Sequence, residues 1–306
     1  MKEKENRMTD TAKLELDFDM INPPHEDGVK VLRLRNEFAF ATFSLNTQTQ
    51  RLLFISMSLF DINDFLSSSE NYNLLNTNGK RDFSGLTDQD YRDFYWCKEY
   101  RTIILPMKML LNYTKTSSRN YACFDKAIEE LRTLTMDIDV PDYTGKRSKQ
   151  NIKVMDYCGK AENNDVIMVF SQKFIPYVLS LRGYTSLDLA TLISFKNKYS
   201  LRYYHWFSLR IGSKPSASFE INISELRNRF ELDELACTRH FWQRIVIKSI
   251  NEVNEKSDLE VDAKAIKNRY KKGKPIEKVK FFINRKISES NYEFALGEEY
   301  DCLPEF

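Results

Sequence analysis

A dense cluster of basic side chains near the end of the sequence is the feature most suited to binding chemistry. Between Lys264 and Lys286 there are ten lysines and arginines, and Glu277 is the one acidic residue among them. Each cation can neutralise a phosphate, so the cluster predicts contact with a polyanion such as a nucleic-acid backbone. A solvated loop or a targeting signal would use the same residue types. The central cations are Arg269, Lys271, Lys272 and Lys274.

The residues around this cluster predict a β-hairpin and not a free tail. Gly273 and Pro275 are turn formers at its centre, and the following KVKFFI alternates between polar and apolar side chains. Such alternation places Val279, Phe281 and Ile283 on one side of a strand, where they can pack on a core. An anchored hairpin favours nucleic-acid binding over a localisation signal, because such signals are usually unanchored.

A predicted helix over residues 238–258 directly precedes the hairpin. At about 100° per residue it has an apolar face, which comprises Ile245, Val246, Ile250 and Val253. Its opposite face comprises Arg244, Lys248 and Asn251, with Gln243 between the two faces. Arg and Lys pair with guanine, and Asn and Gln with adenine, when a helix enters the major groove. The face therefore predicts a recognition helix, although an ordinary solvated helix contains the same residue types.

The net charge of +2 hides a strong segregation along the chain. Residues 1–184 have a balance of −1, residues 185–286 a balance of +9, and residues 287–306 a balance of −6. A basic segment followed by an acidic tail points to a polyanionic partner.

The order of the predicted elements indicates an α+β fold with two tandem winged-helix domains. Residues 1–27 are polar and typical of a flexible leader. Helices followed by a hairpin with a basic loop are predicted across residues 28–180, and the same order recurs across residues 181–286. Residues 287–306 form the acidic tail. The two halves share this order of elements, without a convincing identity of residues.

Hydrophobic periodicity also predicts individual elements. It predicts a helix over residues 45–60 and one long or two abutting helices over residues 185–211. Ser224 is the predicted N-cap of a short helix. Residues 258–267 and 277–286 are predicted to be the two strands of the basic hairpin.

Catalytic sites find little support in the sequence. It contains no GxxxxGK[ST] phosphate loop and no GxGxxG motif, so no nucleotide cofactor is predicted. A nicking endonuclease needs clustered metal-binding histidines, but His25, His205 and His240 are isolated. No catalytic residue, metal site or cofactor is therefore predicted, although spacing alone leaves open a metal site assembled from dispersed carboxylates.

Cysteine usage and hydropathy indicate the cellular compartment of the protein. The five cysteines are odd in number and form no CxxC pair, so reduced thiols are predicted in place of disulfides or a zinc site. No stretch approaches the roughly 20 apolar residues of a membrane span. The first residues, MKEKENRMTD, lack the apolar segment of a secretory signal. These features predict a cytoplasmic protein without membrane contact.

Several stretches resemble one family, the initiator replication (Rep) proteins of theta-replicating, iteron-bearing bacterial plasmids. The most specific are KYSLRYYHW and the run from Phe241 through INEVNEKSDLEV to KVKFFI. The segments LNTQTQRLLFISMS and NYACFDKAIEELRTLTMDI are similar to the N-terminal domain of that family. The resemblance extends over residues 28–286 and is an overall pattern, not a catalytic signature.

The resemblance implies partners as well as a fold. In this family a C-terminal winged-helix domain reads the origin repeats, while an N-terminal one adds DNA contacts and dimerisation. Monomers typically bind the repeats and start replication, whereas dimers bind an inverted operator and repress the initiator's own gene. The family melts origin DNA and recruits the host initiator, helicase and primase without enzymatic activity. The implied location is the bacterial cytoplasm, on plasmid DNA, with a role in copy control.

The resemblance also implies DNA-binding residues in both domains. In the second domain they are Arg239, Gln243, Arg244, Lys248 and the hairpin cations Lys271, Lys272 and Lys274, to which the helix face adds Asn251 and the charge cluster adds Arg269. In the first domain they are Arg119, Lys126, Lys146, Arg147 and Lys149. The long loop over residues 61–90 and the acidic tail have no counterpart in the family pattern.

Three rival hypotheses remain open at this stage. A winged-helix transcriptional repressor would share every local feature but lack origin activity. A metal-dependent nicking initiator would cleave DNA. A purely structural or protein-interaction module would show no salt-dependent DNA binding.

Overall fold

A computed structural model describes residues 31–60, 87–114, 122–141, 147–178, 183–232, 238–268, 270 and 275–286. The predicted leader and the predicted acidic tail lie outside the described residues, and so does most of the 61–90 loop.

A first unit of helices and strands extends from residue 31 to residue 170. Its helices are α1 (Asn36–Phe40), α2 (Thr47–Met57), α3 (Asp88–Phe94), α4 (Met107–Thr114) and α5 (Ala122–Thr133). Its strands are β1 (Val31–Arg35), β2 (Thr102–Leu105), β3 (Thr135–Pro141), β4 (Arg147–Lys153), β5 (Met155–Lys160) and β6 (Val166–Phe170). A short helix, α6 (Ile175–Val178), leads into the second unit.

The second unit repeats this order with fewer strands. Its elements are β7 (Tyr184–Asp188), α7 (Leu189–Ser194), α8 (Lys198–Ile211), β8 (Ser216–Asn222), α9 (Ile223–Arg229), β9 (Leu259–Lys267) and β10 (Ile276–Arg285). Between α9 and β9 lies one continuous helix over residues 238–256, hereafter the reading helix. It consists of an α-helical turn, Thr238–His240, a π-helical stretch, Phe241–Ile247, and the α-helix Lys248–Lys256.

The two three-stranded sheets have the same topology. In the first unit the order is β2-β6-β5, and in the second it is β8-β10-β9, with every pair antiparallel. The counterpart of the β9–β10 hairpin in the first unit is therefore the β5–β6 hairpin. The basic β3–β4 hairpin pairs separately and is an insertion. The predicted hairpin with a basic loop is therefore β3–β4, which by strand order is not the equivalent of the β9–β10 hairpin.

The two units are joined by their first strands. Strand β1 pairs with β7 in antiparallel register, from Val31 opposite Asp188 to Arg35 opposite Tyr184. In each unit the first strand runs directly into a short helix and then into a longer one. The antiparallel pairing of equivalent strands therefore relates the two units by an approximate twofold axis.

Helix α2 lies at the centre of the molecule. Eight of its eleven residues are buried, including Thr49 and Gln50, and its apolar residues belong to the same core cluster as those of the second unit. Its N-cap is Asn46, whose side chain accepts the backbone N–H of Thr49. A helix that is buried on almost all sides has to pack against elements of both units.

Two local predictions are wrong at the level of secondary structure. The region predicted as helix over residues 185–211 begins with strand β7, because residues 184–188 pair with β1. Ser224 lies inside helix α9, whose N-cap position is Asn222. The predicted helix over residues 45–60 and the two predicted hairpin strands correspond to α2, β9 and β10.

Candidate nucleic-acid interface

The reading helix has the two faces that the sequence predicts. Val246, Ile250 and Val253 are buried, and this face rests against the rest of the second unit. On the opposite side the polar residues are exposed, and they comprise Arg239, Gln243, Arg244, Lys248 and Asn251. Five polar side chains with donors for base edges and phosphates are thus presented in one row.

The π-helical stretch changes how this row is arranged. The backbone N–H of Lys248 donates to the carbonyl oxygen of Gln243, five residues earlier. Such a wider turn brings residues i and i+5 towards the same side of the helix. An ideal α-helix would separate Gln243 from Lys248, whereas here both side chains are exposed on the polar side. Sequence periodicity could not reveal this adjustment, because it assumes a constant turn.

Glu252 anchors the reading helix to the segment that leads into α8. Its carboxylate accepts the backbone N–H groups of Lys196, at 2.6 Å, and of Asn197, at 3.0 Å. Lys256 also donates to it, at 2.7 Å. Burial alone would raise the pKa of Glu252, but the hydrogen bonds from Lys256, Lys196, Ser200 and Asn197 outweigh it, and the net pKa lies below the usual value. The helix is thereby tied to the N-terminus of α8.

The β9–β10 hairpin follows the reading helix directly. Val279, Phe281 and Ile283 are completely buried, which confirms the predicted anchoring face. The backbone N–H of Asn268 donates to the carbonyl oxygen of Pro275, at 2.9 Å, at the outer end of the hairpin. The predicted hairpin cations Arg269, Lys271, Lys272 and Lys274 lie outside the described residues.

Four further lysines lie on the described part of the hairpin, namely Lys264, Lys267, Lys278 and Lys280. The ammonium groups of Lys264 and Lys280 lie 5.0 and 5.6 Å from the ring centre of Phe282. Lys280 also pairs with Glu220 at 3.3 Å. Lys264 and Lys267 are exposed and can face a phosphate backbone.

The last two cations of the basic cluster have structural roles. Arg285 pairs with Asp258 at 2.7 Å and donates to the carbonyl oxygen of Gly212 at 2.6 Å. Lys286 donates to the carbonyl oxygens of Asn254 and Ser257 at the end of the reading helix. These two side chains hold the end of β10 against neighbouring segments. The basic cluster therefore contains cations with structural contacts as well as exposed ones.

The exposed side of helix α5 differs from that of the reading helix. Lys126 is exposed there as predicted, but acids lie close to the cations around it. Arg132 pairs with Glu129 at 3.0 Å, and Lys160 of β5 pairs with Asp125. An open groove of about 580 Å³ is lined by these mixed charges. The cations around Lys126 are therefore partly neutralised by neighbouring acids.

Lys149 is exposed on strand β4, opposite Asp139 of β3. Arg147 begins the same strand, but its side chain is outside the described residues, as are Arg119 and Lys146 altogether. Of the five predicted cations of the first unit, the structure therefore describes only the side chains of Lys126 and Lys149. They remain predictions, whereas five of those in the second unit share one helix face.

Other kinds of site find no support in the described part of the chain. Its residues include no group of three or more His, Cys, Asp or Glu side chains that could hold a metal ion. None of its three cysteines is in a disulfide, and burial raises the pKa of Cys158 to about 12. Within the described ranges no helix combines the length and the apolar character needed to cross a membrane.

The fold and the reading helix match profiles of one family. Residues 89–208 match the profile described as "Initiator Replication protein, WH1", and residues 222–283 match "Initiator Rep protein, WH2". Together these matches cover more than half of the 306 residues. The chain belongs to the initiator replication protein family. This membership confirms the predicted resemblance and the predicted α+β fold of two winged-helix domains.

Two individual relatives agree with the family. A replication initiation protein of Escherichia coli is 27% identical over 161 residues, which is 51% of this chain and 49% of the relative. The match thus spans about half the length of that relative. The crystal structure of the Pi initiator protein in complex with iteron DNA aligns with a TM-score of 0.58 at 15% identity. It covers 85% of this chain and 98% of the other, and shows that the two share a fold.

Proposed function

We propose that this chain is a plasmid replication initiator that binds repeated double-stranded DNA at an origin. The observation that carries the proposal is the exposed row Arg239, Gln243, Arg244, Lys248 and Asn251 on the reading helix. The buried opposite face fixes the direction of this row, and a basic hairpin follows it. This is the arrangement by which a winged helix reads base edges and holds phosphates.

The distribution of charge suggests a different role in DNA binding for each domain. The second domain, residues 181–286, reads the repeats, and its hairpin adds affinity through phosphates. The first domain, residues 28–180, adds auxiliary contacts through Lys126, Lys149 and the basic loop beside β4. This boundary is itself a proposal, since β1 and β7 pair across it.

Selection from random DNA tests the proposal. Duplexes retained by the full chain at about 150 mM salt, where unspecific binding is weak, are sequenced and compared with the DNA that flanks the gene. We expect one motif, present in that DNA as tandem repeats next to an AT-rich stretch. Retention of random sequences alone would overturn the proposal.

We further propose that the chain forms homodimers through the outer face of the β2-β6-β5 sheet. Ile104 and Ile167 are neighbours on this face, and Tyr157 is exposed beside them. The ring of Tyr157 packs over Gly159, where the Cβ of any other residue would come within 2.8 Å of the ring carbon Cζ. A partly exposed apolar face of this kind is suited to a second copy of the chain.

The remaining proposed activities rest on family membership. The monomer melts the neighbouring AT-rich DNA and recruits the host initiator, helicase and primase, while the dimer represses the initiator's own gene and so limits copy number. The chain acts in the bacterial cytoplasm without enzymatic activity or cofactor. EDTA-insensitive binding without DNA cleavage is the expected result in a nicking assay, and a metal-dependent nick would contradict it.

A transcriptional repressor without initiator activity is the alternative. It would bind an inverted operator through the same reading helix. Replication of a reporter plasmid that carries the flanking DNA and no other origin separates the two functions. Plasmid maintenance supports the initiator, and repression without maintenance supports the alternative.

A further inference from the structure

A short motif occurs once in each winged-helix domain. The sequence NTQTQR at residues 46–51 and the sequence NKYSLR at residues 197–202 share the pattern Asn-x-x-Ser/Thr-x-Arg. In both places the Asn is the N-cap of the first long helix of its domain, α2 or α8. The motif therefore occupies equivalent positions of the two domains.

The arginines of the two motifs reach across the domain boundary in opposite directions. Arg51 of α2 donates from Nη2 to the carbonyl oxygen of Phe195, at 2.8 Å, just before α8. Arg202 of α8 donates from Nη1 to the carbonyl oxygen of Phe43, at 2.8 Å, just before α2. It also donates to the carbonyl oxygen of Ala41. Each arginine thus holds the segment that leads into the helix of the other.

Neighbouring side chains repeat this exchange. The hydroxyl of Thr47 donates to the carbonyl oxygen of Lys196, at 3.0 Å, and the ammonium group of Lys198 donates to the hydroxyl of Ser44, at 3.1 Å. Thr47 and Lys198 each follow the capping Asn of their own motif. The contact between the domains is therefore reciprocal over several residues.

Arg202 makes the larger set of contacts. In addition to its bonds to the first domain, it donates to the carbonyl oxygen of Arg229 at 2.6 Å. Its guanidinium lies 4.1 Å from the ring centre of Phe43 and 4.9 Å from that of Phe230. Only a planar fork with several donors can bind carbonyls on both sides and stack between two rings.

The same segments also contact α5, β3 and the reading helix. Asn46 and Thr49 donate to Glu130 of α5 at 2.7 and 2.6 Å. The backbone of Thr42 pairs with that of Asp137 in β3, which leads into the basic hairpin. On the other side, the Lys196 backbone donates to Glu252 of the reading helix. Hydrogen bonds and the intervening backbone therefore connect α5 with the reading helix across the domain boundary.

We infer that Arg51 and Arg202 are reciprocal positioning residues, which hold the two domains in one orientation so that both bind DNA as a single unit. The inference rests on the proposed function, because it assumes that both domains contact DNA. When one domain has bound its part of the DNA, a rigid connection holds the other domain over its own part. The second contact then costs less, so the affinity for a DNA site that both domains contact increases.

Two measurements on the full chain test this inference. The distance between spin labels carried by unnatural amino acids at Lys98 and Lys214, both exposed, reports the orientation of the domains. Affinity is measured for the duplex that the wild type selects from random DNA and for a duplex trimmed to the part that the second domain covers. The variants are the double substitution Arg51→Gln with Arg202→Gln, and the single substitution Arg202→Lys.

We expect the double variant to broaden the distance distribution and to lose about tenfold in affinity for the full duplex, but less than about threefold for the trimmed one. Arg202→Lys keeps the charge without the fork, and its effects should be intermediate. Arg101→Gln is the matched control, because Arg101 is an even more buried arginine whose side chain donates within the first domain, to Phe170 and Asp156. It should leave unchanged both the distance between the spin labels and the ratio of the affinities for the full and the trimmed duplex.

An unchanged distance distribution and an unchanged ratio in both variants would overturn the inference. If Arg51→Gln with Arg202→Gln does not fold, Arg202→Lys decides by the same two measurements. If the wild type selects no DNA sequence, the proposed function fails, but the distance measurement still tests the coupling of the domains.

Discussion

Glu130 and Glu252 lie at equivalent positions of the two domains and make equivalent contacts. Glu130 projects from α5 and accepts hydrogen bonds from Asn46, the N-cap of α2. Glu252 projects from the reading helix and accepts the backbone N–H of Asn197, the N-cap of α8. In each domain a carboxylate on the third long helix is bound to the positive N-terminal end of the first. Equivalent contacts therefore fix the orientation of α5 and of the reading helix.

Loss of the Glu252 carboxylate should destabilise the protein. Glu252→Gln keeps the shape but removes the charge that strengthens two backbone hydrogen bonds, and we expect a loss of about 1–2 kcal/mol in the free energy of unfolding. Urea denaturation at pH 7 measures it. Glu255→Gln, an exposed position on the same helix, is the control and should change the free energy little. Equal effects of the two substitutions would contradict the proposed role of Glu252.

Arg244→Ala should reduce both affinity and specificity. A guanidinium that pairs with a base contributes about 1–3 kcal/mol, and its loss relaxes the preference at one position of the site. Competition binding with duplexes that vary at each position measures both effects. Arg132→Ala, an exposed arginine on α5 that is paired with Glu129, should leave the preference unchanged. An equal loss on random DNA would mean that Arg244 contacts only phosphate.

Replacement of the hairpin lysines by neutral residues should lower the salt dependence of DNA binding. Replacement of Lys271, Lys272 and Lys274 by Gln removes up to three phosphate contacts, so the slope of log K against log salt should fall by about 2–3. Affinity should drop for all sequences alike. The control replaces three exposed lysines of the first domain, Lys98, Lys108 and Lys173. An unchanged slope in the hairpin variant would show that the hairpin is not a wing on DNA.

The proposed dimer should depend on the outer face of the β2-β6-β5 sheet. Ile167→Lys places a charge in the middle of this apolar face, where an interface would bury it without a partner. We expect sedimentation equilibrium to show a shift from dimer to monomer. Ile266→Lys is the matched control on the corresponding sheet of the second domain, and it should keep the wild-type association. A monomeric wild type at all concentrations would exclude the dimer.

His205 should make the stability of the protein depend on pH. Burial, with a contribution from Arg202, lowers the pKa of His205 from 6.5 to about 3. The unfolded chain therefore binds a proton between these values that the folded chain does not. The stability from neutral His205 is fully present above pH 6.5 and is lost as the pH falls towards 3.

The measurement compares the wild type with His205→Phe, which keeps an aromatic ring beside Phe38 and removes the titrating group. Between pH 7.0 and 5.5 the wild type should lose about 1 kcal/mol more of its free energy of unfolding than the variant. Carboxylates contribute equally to both proteins, so the difference isolates the histidine. Parallel pH profiles would show that His205 can be protonated in the folded state.

Features with a local cause could be predicted from the sequence. The reading helix and the anchored hairpin follow from apolar residues at periods of 3.6 and 2, since Val246 and Val253, or Val279 and Phe281, have to face the same core. The fold of two winged-helix domains follows from the repeated order of such elements.

Features that depend on distant partners could not be predicted in this way. Residues 184–188 look helical on their own and become a strand because β1 supplies the hydrogen bonds. Similarly, the β3–β4 and β5–β6 hairpins alternate in the same manner, and only the strand order distinguishes the insertion from the counterpart of the wing.

The sequence by itself therefore determined the buried faces of the reading helix and of the hairpin that follows it, and where the positive charge lies. The tertiary structure alone decided that Arg51 and Arg202 exchange contacts across the domain boundary, and that Glu130 and Glu252 tie α5 and the reading helix to that boundary. The motif Asn-x-x-Ser/Thr-x-Arg is too short to stand out in the sequence. Its meaning depends on carbonyl groups more than a hundred residues away, and local periodicity contains no information about such contacts.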